Sequence, residues 1–331
     1  MSRAASIVLC ALLCASIAEA SPRRGVALGL FSEDAGWSYA PLLDEIAALG
    51  ASDVELVVPL YQADVRATAI GYHPRYSPPL SALRRAVRVA HRRGLRVLLF
   101  PIVRLVGTDG PDQWRGTLRP TDRAAWLASW GERLAELADL GAAERVEALS
   151  IGSELSTLDV DAAAWAPVIA RVRTRFAGRV VYSANWDHYA DVALWDLVDD
   201  VGVCAYFPLA PRGALPSLDA LVAAWAAPRA GLAALARKLG RPITLTELGY
   251  RSQPDALAEP WDEGAAAPVD ARALEAQRLG FAAFRAAFAA TPWLDGFYVW
   301  SWYGWGGPGS RGYTPRGKPA AREVEQLLRE R

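Results

Sequence analysis

The chain has little that could cross-link it, hold a metal or attract a polyanion. Three histidines, His73, His91 and His188, stand at no ligand spacing, which speaks against a structural metal or zincin site. Lys plus Arg and Asp plus Glu number 36 each, so no net field draws in nucleic acid or an anionic membrane surface. Beyond residue 20 no apolar run reads as long enough for a membrane span. The loop after the first predicted strand, Ser-Glu-Asp-Ala-Gly-Trp-Ser at 32–38, lacks the G-x-G-x-x-G of a phosphate cradle, and Gly152-Ser153-Glu154 lacks the second glycine of a nucleophile elbow. A dinucleotide fold and a serine hydrolase are thereby set aside, and no cofactor is expected.

Cysteine is equally scarce, with three in the chain. Two of them, Cys10 and Cys14, fall in an N-terminal stretch with the parts of a secretion signal. Arg3 gives the charged start, residues 6–17 the apolar centre, and Ala18-Glu19-Ala20 a small-residue cleavage site before Ser21. Neither cysteine has leucine three residues before it, as a lipoprotein signal would. Export to the periplasm or the medium is the expectation, and the mature chain would keep only Cys204 and form no internal disulfide. Cys204 itself reads as a small buried apolar residue rather than a nucleophile.

What is present is an alternation of strand-like and helix-like segments. Apolar runs at 25–31, 53–59, 96–103, 149–154, 179–184, 201–206, 242–247 and 296–300 predict eight strands. Helical periodicity falls at 39–49, 80–93, from a cap at Thr121 or Asp122 to Leu140, at 162–176, at 271–290 and from residue 320. Glycine follows the predicted helix at Gly50, Gly94, Gly141 and Gly240, where a left-handed residue lets the chain turn into the next strand. Eight such units in 331 residues fit an α/β fold with one (β/α)₈ TIM barrel over 21–331, its active site at the C-terminal ends of the strands.

Two predicted strands end on carboxylates. Glu154 closes Leu-Ser-Ile-Gly-Ser-Glu-Leu at 149–155, and Glu247 closes Pro-Ile-Thr-Leu-Thr-Glu-Leu-Gly at 242–249. In a closed parallel barrel both face the same mouth from opposite sides, the arrangement that flanks a glycosidic bond. Thirteen tryptophans are an unusual load. Trp126, Trp130, Trp165, Trp195 and Trp225 read as helix packing. Trp37, Trp114, Trp186, Trp261, Trp300, Trp302 and Trp305 fall in or beside predicted loops, where aromatic faces suit the C–H faces of sugars. Asn185 and Trp186 follow the fifth strand, Tyr61 follows the second and Trp300 ends the eighth; these, with Ser153, Trp114 and Tyr206, are candidate substrate contacts. Tyr206 ends the sixth strand and is placed to donate its hydroxyl to Glu247.

Val-Pro-Leu-Tyr-Gln at 58–62, Trp114-Arg115-Gly116, Ile-Gly-Ser-Glu-Leu at 151–155, Ser-Ala-Asn-Trp-Asp at 183–187, Ala-Tyr-Phe-Pro-Leu at 205–209, Thr-Glu-Leu-Gly-Tyr-Arg-Ser at 246–252 and Tyr-Thr-Pro-Arg-Gly-Lys-Pro-Ala at 313–320 recur in one order. Through most of the mature chain the sequence thereby resembles glycoside hydrolase family 113, a family of β-mannanases. The resemblance implies a retaining reaction on a β-linked, mannose-containing polysaccharide, with Glu154 as acid/base and Glu247 as nucleophile; a monomer is the expectation. It also exposes departures. Ser153 stands where many relatives carry Asn before the acid/base, Ile102 where they often carry His, and Cys204 where they often carry Asp. Each change removes or shortens a polar group at the mouth. Two rival readings follow, a sugar-binding barrel without turnover and a barrel glycosidase acting on another β-glycan. Sugar, linkage and endo or exo action stay open at this point.

Overall fold

The computed structural model describes residues 22–108, 110, 112–262 and 268–330; the expected secretion signal lies outside them. Eight parallel strands close on themselves in sequence order: β1 (Arg23–Gly29), β2 (Asp53–Gln62), β3 (Arg96–Leu105), β4 (Ala148–Ser153), β5 (Arg179–Ala184), β6 (Asp200–Cys204), β7 (Ile243–Leu248) and β8 (Leu294–Val299). The helices around them are α1 (Ala40–Ala48), α2 (Leu80–Arg92), α3 (Arg123–Glu144), α4 (Ala162–Arg173), α5 (Leu218–Ala224), α6 (Ala226–Leu239), α7 (Ala271–Phe288) and α8 (Ala320–Arg329). This is the (β/α)₈ barrel expected from the alternation.

Strand alternation sorts the side chains into two cores. On β2, Val54, Leu56, Val58 and Leu60 face the helices and join the large outer cluster. Val57 faces the barrel axis and packs with Ala27, Leu98, Phe100, Ile102, Ala148, Val181 and Tyr298. The interior is filled, and Tyr298 fills its share because Gly25 has no Cβ, which would lie 2.2 Å from the ring. At the N-terminal rim the barrel is bound by charge. Arg23 reaches Asp200 at 3.1 Å and Asp295 at 3.2 Å, Arg96 reaches Asp53 at 2.7 Å, and Arg179 pairs with Asp200.

Four local features depart from the sequence expectation. The helix predicted to stop at Gly141 runs on to Glu144, and Arg145 takes the left-handed turn at φ 58°. Gly141 lies inside the helix, where a Cβ would come within 3.0 Å of the Phe176 ring; the other three marked glycines do take positive φ. Between β5 and β6 there is only a short 3₁₀ turn at Trp195–Leu197, whereas β6 and β7 are joined by two helices. Those two, end to end at Trp225, form the stretch Leu218–Leu239, 22 residues at hydropathy 1.3 and so long and apolar enough to cross a membrane, where none was expected. Alanine supplies much of that hydropathy, and the stretch serves as barrel cladding through buried Leu221, Trp225, Leu232 and Leu235. Finally, Trp302 is buried rather than a loop platform, and its indole N–H donates to Glu45 at 2.7 Å.

One interior side chain is out of keeping with its surroundings. Glu55 on β2 alternates onto the same side as Val57, is fully buried, and neither carboxyl oxygen meets a hydrogen-bond partner among the described residues. Burial, with a smaller contribution from the charge of Glu247, holds its carboxyl well above the usual range. The folded chain therefore binds a proton that the unfolded chain releases near its ordinary value of about 4.3. Such a group costs nothing below that value and costs progressively more as pH rises through and beyond it. Replacing it, Glu55→Gln, should leave stability near pH 4 little changed and raise it relative to the parent as pH increases. Urea midpoints measured from pH 4 to 8 check this; a stability difference that does not change with pH would be the contrary result.

Candidate active site

The mouth of the barrel is shaped by irregularities in the strands that carry the acids. Pairing shifts register between Ser150 and Ser153 on β4, between Val203 and Cys204 on β6, and between Leu245 and Leu248 on β7. A bulge turns the side chains at its end away from strict alternation. Glu154 follows β4 directly, in the left-handed region at φ 54° that non-glycine residues seldom adopt. Its N–H donates to Ser183 at 2.8 Å, so the turn is held by the neighbouring strand. Around the rim Ser153 pairs with Ser183 and Cys204 with Glu247. Four successive strands thus deliver one polar patch.

At its centre are two buried acids, Glu154 at 4% exposure and Glu247 at 1%. An oxygen of each and the Cys204 sulfur lie within 4.8 Å of one another. Glu247 accepts from Tyr206 OH at 2.8 Å on one oxygen and from Ser153 Oγ at 3.2 Å on the other. Arg115, at the start of a 3₁₀ turn in the loop after β3, donates to Glu154 and stands 3.9 Å from Glu247. Burial pushes the Glu154 carboxyl up to about 7, Arg115 pulls it back, and Glu247 adds to the rise. Cys204, buried and pushed well up by desolvation and by both acids, is a neutral thiol 3.1 Å from Ser183 Oγ. Together these atoms set a raised carboxyl, Glu154, opposite a carboxyl that accepts two hydroxyl hydrogen bonds, Glu247, in a dry setting. Glu154, Cys204 and Glu247 could also ligate a cation by their spacing, but the Arg115 guanidinium already supplies positive charge between the acids.

A further network fixes the chain after Glu154. Tyr182 OH accepts from the Leu155 N–H at 3.1 Å and donates to Asp159 at 2.6 Å, and His188 Nε2 lies 3.0 Å from the same carboxylate. His188 is thereby tied to the turn rather than to the acids. Asn185 donates its amide to Asp187 at 2.8 Å and shapes the β5 loop.

The aromatic candidates form two walls. Trp186 stacks on Trp261 at 5.0 Å and 19°, and with Tyr189 and Phe207 lines a cavity of about 420 Å³. Tyr61 lines a second cavity with Phe31, His73 and Tyr76. Trp300 and Phe31 cap the interior cluster from above, and the Trp300 N–H donates to Leu248 at 2.8 Å. Trp114 lies under the Arg115 guanidinium, 5.9 Å from ring centroid to carbon. Ile102 joins the interior cluster. Sequence reasoning found Glu154, Glu247, Ser153 and Tyr206, which the fold brings together. It gave Arg115 no role, although an arginine in a Trp-Arg-Gly loop after a barrel strand was a usable signal. It also passed over Phe31, Arg104 and Tyr303.

Comparison with known proteins agrees with this architecture. Among solved structures, the family 113 β-mannanase from Alicyclobacillus acidocaldarius superposes with a TM-score of 0.82 at 26% identity, over 94% of this chain and 98% of that one. A second β-1,4-mannanase of the family superposes equally well, at 19% identity over 94% of this chain and 100% of the other. A β-glucuronidase from Faecalibacterium prausnitzii shares the barrel at a TM-score of 0.62 and 14% identity, over 93% of this chain and 49% of its own. A comparison with curated proteins returned no relative. The profile of glycoside hydrolase family 113 matches residues 29–305, and this chain belongs to that family of glycoside hydrolases.

Proposed function

We propose that the chain is an exported retaining glycosidase that cleaves β-1,4-mannan by double displacement, with Glu154 as acid/base and Glu247 as nucleophile. The observation that carries the retaining reading is the carboxylate pair, with oxygens within 4.8 Å across the mouth. Retaining pairs stand about 5–5.5 Å apart and inverting pairs about 6.5–9.5 Å, the extra space holding a water. The surroundings divide the work. Two hydroxyls donate to Glu247, which favours a carboxylate ready to attack the anomeric carbon. Burial raises Glu154 to about 7, which favours a proton held for the leaving oxygen. After the first step Glu154, now ionised, takes a proton from water as that water breaks the glycosyl-enzyme bond. Support for mannan comes from the β-mannanase of Alicyclobacillus acidocaldarius, matched over nearly the whole of both chains.

The roles separate in variants. Glu247→Ala should lose at least about a thousandfold in turnover of every substrate, since no intermediate forms. Glu154→Ala should still release dinitrophenol in a burst from an aryl β-mannoside, then stall; azide should restart it and give the β-azide. A β-azide from Glu247→Ala and an α-azide from Glu154→Ala would reverse the assignment. With polymers, β-1,4-mannan should release reducing ends faster than xylan or cellulose does; preference for either of those would overturn the substrate.

Arg115 sets a pH dependence. The first step needs protonated Glu154, so activity falls as pH rises through its value. Arg115→Met removes the cation that lowers that value, and the alkaline limb of kcat/KM should move upward by on the order of one pH unit. An unmoved or lowered limb would contradict the electrostatic account. Export rests on the N-terminal pattern alone, and Edman sequencing of protein from the medium or periplasm should begin at Ser21.

A further inference from the structure

The loops after β1, β2, β3 and β8 enclose a cavity of about 430 Å³ lined by Phe31, Tyr61, His73, Tyr76, Arg104 and Tyr303, with Leu105 and Val106. Its size suits one or two sugar units. Rings face it from several sides. Phe31 and Tyr303 meet edge to face at 5.2 Å, His73 stacks on Tyr76 at 4.5 Å, and Tyr61 stands 5.1 Å from His73. This rim also carries Trp37 and Trp305, in edge contact at 5.8 Å, the latter 88% exposed.

The charge of the lining is one-sided. Among the described residues Arg104 is the one full cation that lines it, and no carboxylate does. Among the described residues Arg104 makes no ion pair; its guanidinium lies 5.9 Å from the centroid of the Phe31 ring. The neighbouring acid, Glu33, is engaged by Arg75 at 2.7 Å. His73 Nδ1 accepts from the N–H groups of Arg75 and Tyr76 at 3.2 Å each, which leaves the ring proton on Nε2 as a second donor. A planar guanidinium held against a ring, with no ion-pair partner among the described residues, matches a carboxylate better than a hydroxyl.

We propose that this cavity binds a carboxylate-bearing sugar, a hexuronic acid unit of the glycan, with Arg104 on the carboxylate and the rings on the sugar faces. The proposal rests on the glycan-cleaving reading above, since the uronate would belong to the chain lying across the mouth. It makes the preferred polymer an acidic variant of the mannan backbone rather than a wholly neutral one.

The test is equilibrium binding in the Glu247→Gln background, which halts turnover. Three probes suffice: mannotetraose and its two singly oxidised forms, with a mannuronate at one terminus or the other. One oxidised form should bind on the order of tenfold more tightly than the neutral tetrasaccharide at low salt. Arg104→Met should bring the ratio to about one, and Arg104→Lys should keep part of it. Equal binding of all three probes, or a preference that survives Arg104→Met, would overturn the uronate site and leave the mannan reading standing. Binding of none of them would overturn both.

Discussion

Two carboxylates enclosed in one dry pocket repel each other, and much of the local structure at this barrel's mouth answers that constraint. Each acid is almost fully covered and they approach within 4.8 Å, so water cannot screen them and protein groups must. Arg115 reaches in from the loop after β3, while Tyr206 and Ser153 direct hydroxyls at Glu247. The remaining imbalance is relieved by keeping one acid protonated, and it is Glu154 that burial and its neighbour's charge raise. The backbone contributes as well, since the left-handed turn at Glu154 and the bulges on β4, β6 and β7 aim these groups inward. Strained backbone at such a point is tolerated because the Tyr182 and Asp159 network and the β5 strand hold it from both sides.

Features written in periodicity or at strand ends were legible in the sequence. Eight apolar runs announced the strands, and two of those runs ended on glutamates. Tyr206 could be assigned to Glu247 because neighbouring strand ends are neighbours in space, and the hydroxyl does reach the acid. Arg115 was opaque for the opposite reason. It approaches along a loop whose path no repeat encodes, so its proximity to both acids depends on tertiary packing alone. Glu55 was hidden inside a strand pattern, where a single polar letter between Val54 and Leu56 looks like a solvent-facing position. The helix pair before β7 was missed because alanine carries little amphipathic signal, and the burial of Trp302 was missed because a glycine-rich neighbourhood looks like open loop although the indole docks on Glu45.

The barrel divides its labour between its two ends. The N-terminal rim is knit by Arg23, Arg96 and Arg179 with Asp53, Asp200 and Asp295, pairs that tie strand to strand. The opposite rim is aromatic, with much exposed ring surface. Bonds that hold the cylinder are therefore remote from the loops that meet ligand, and the loops can vary in sequence without loosening the strands beneath them.

Cys204 gives the folded molecule an internal gauge of its own motion. It is the only cysteine among the described residues, lies at zero exposure, and is raised well away from the thiolate form by that burial and by the acids beside it. Alkylating reagents consume thiolates that they can reach, so in the closed barrel this sulfur is silent on both counts. Any excursion that parts β6 from β7 admits water, relaxes the thiol and exposes it at once. The rate at which Cys204 is labelled thus counts openings of the catalytic end of the barrel, without any probe being introduced.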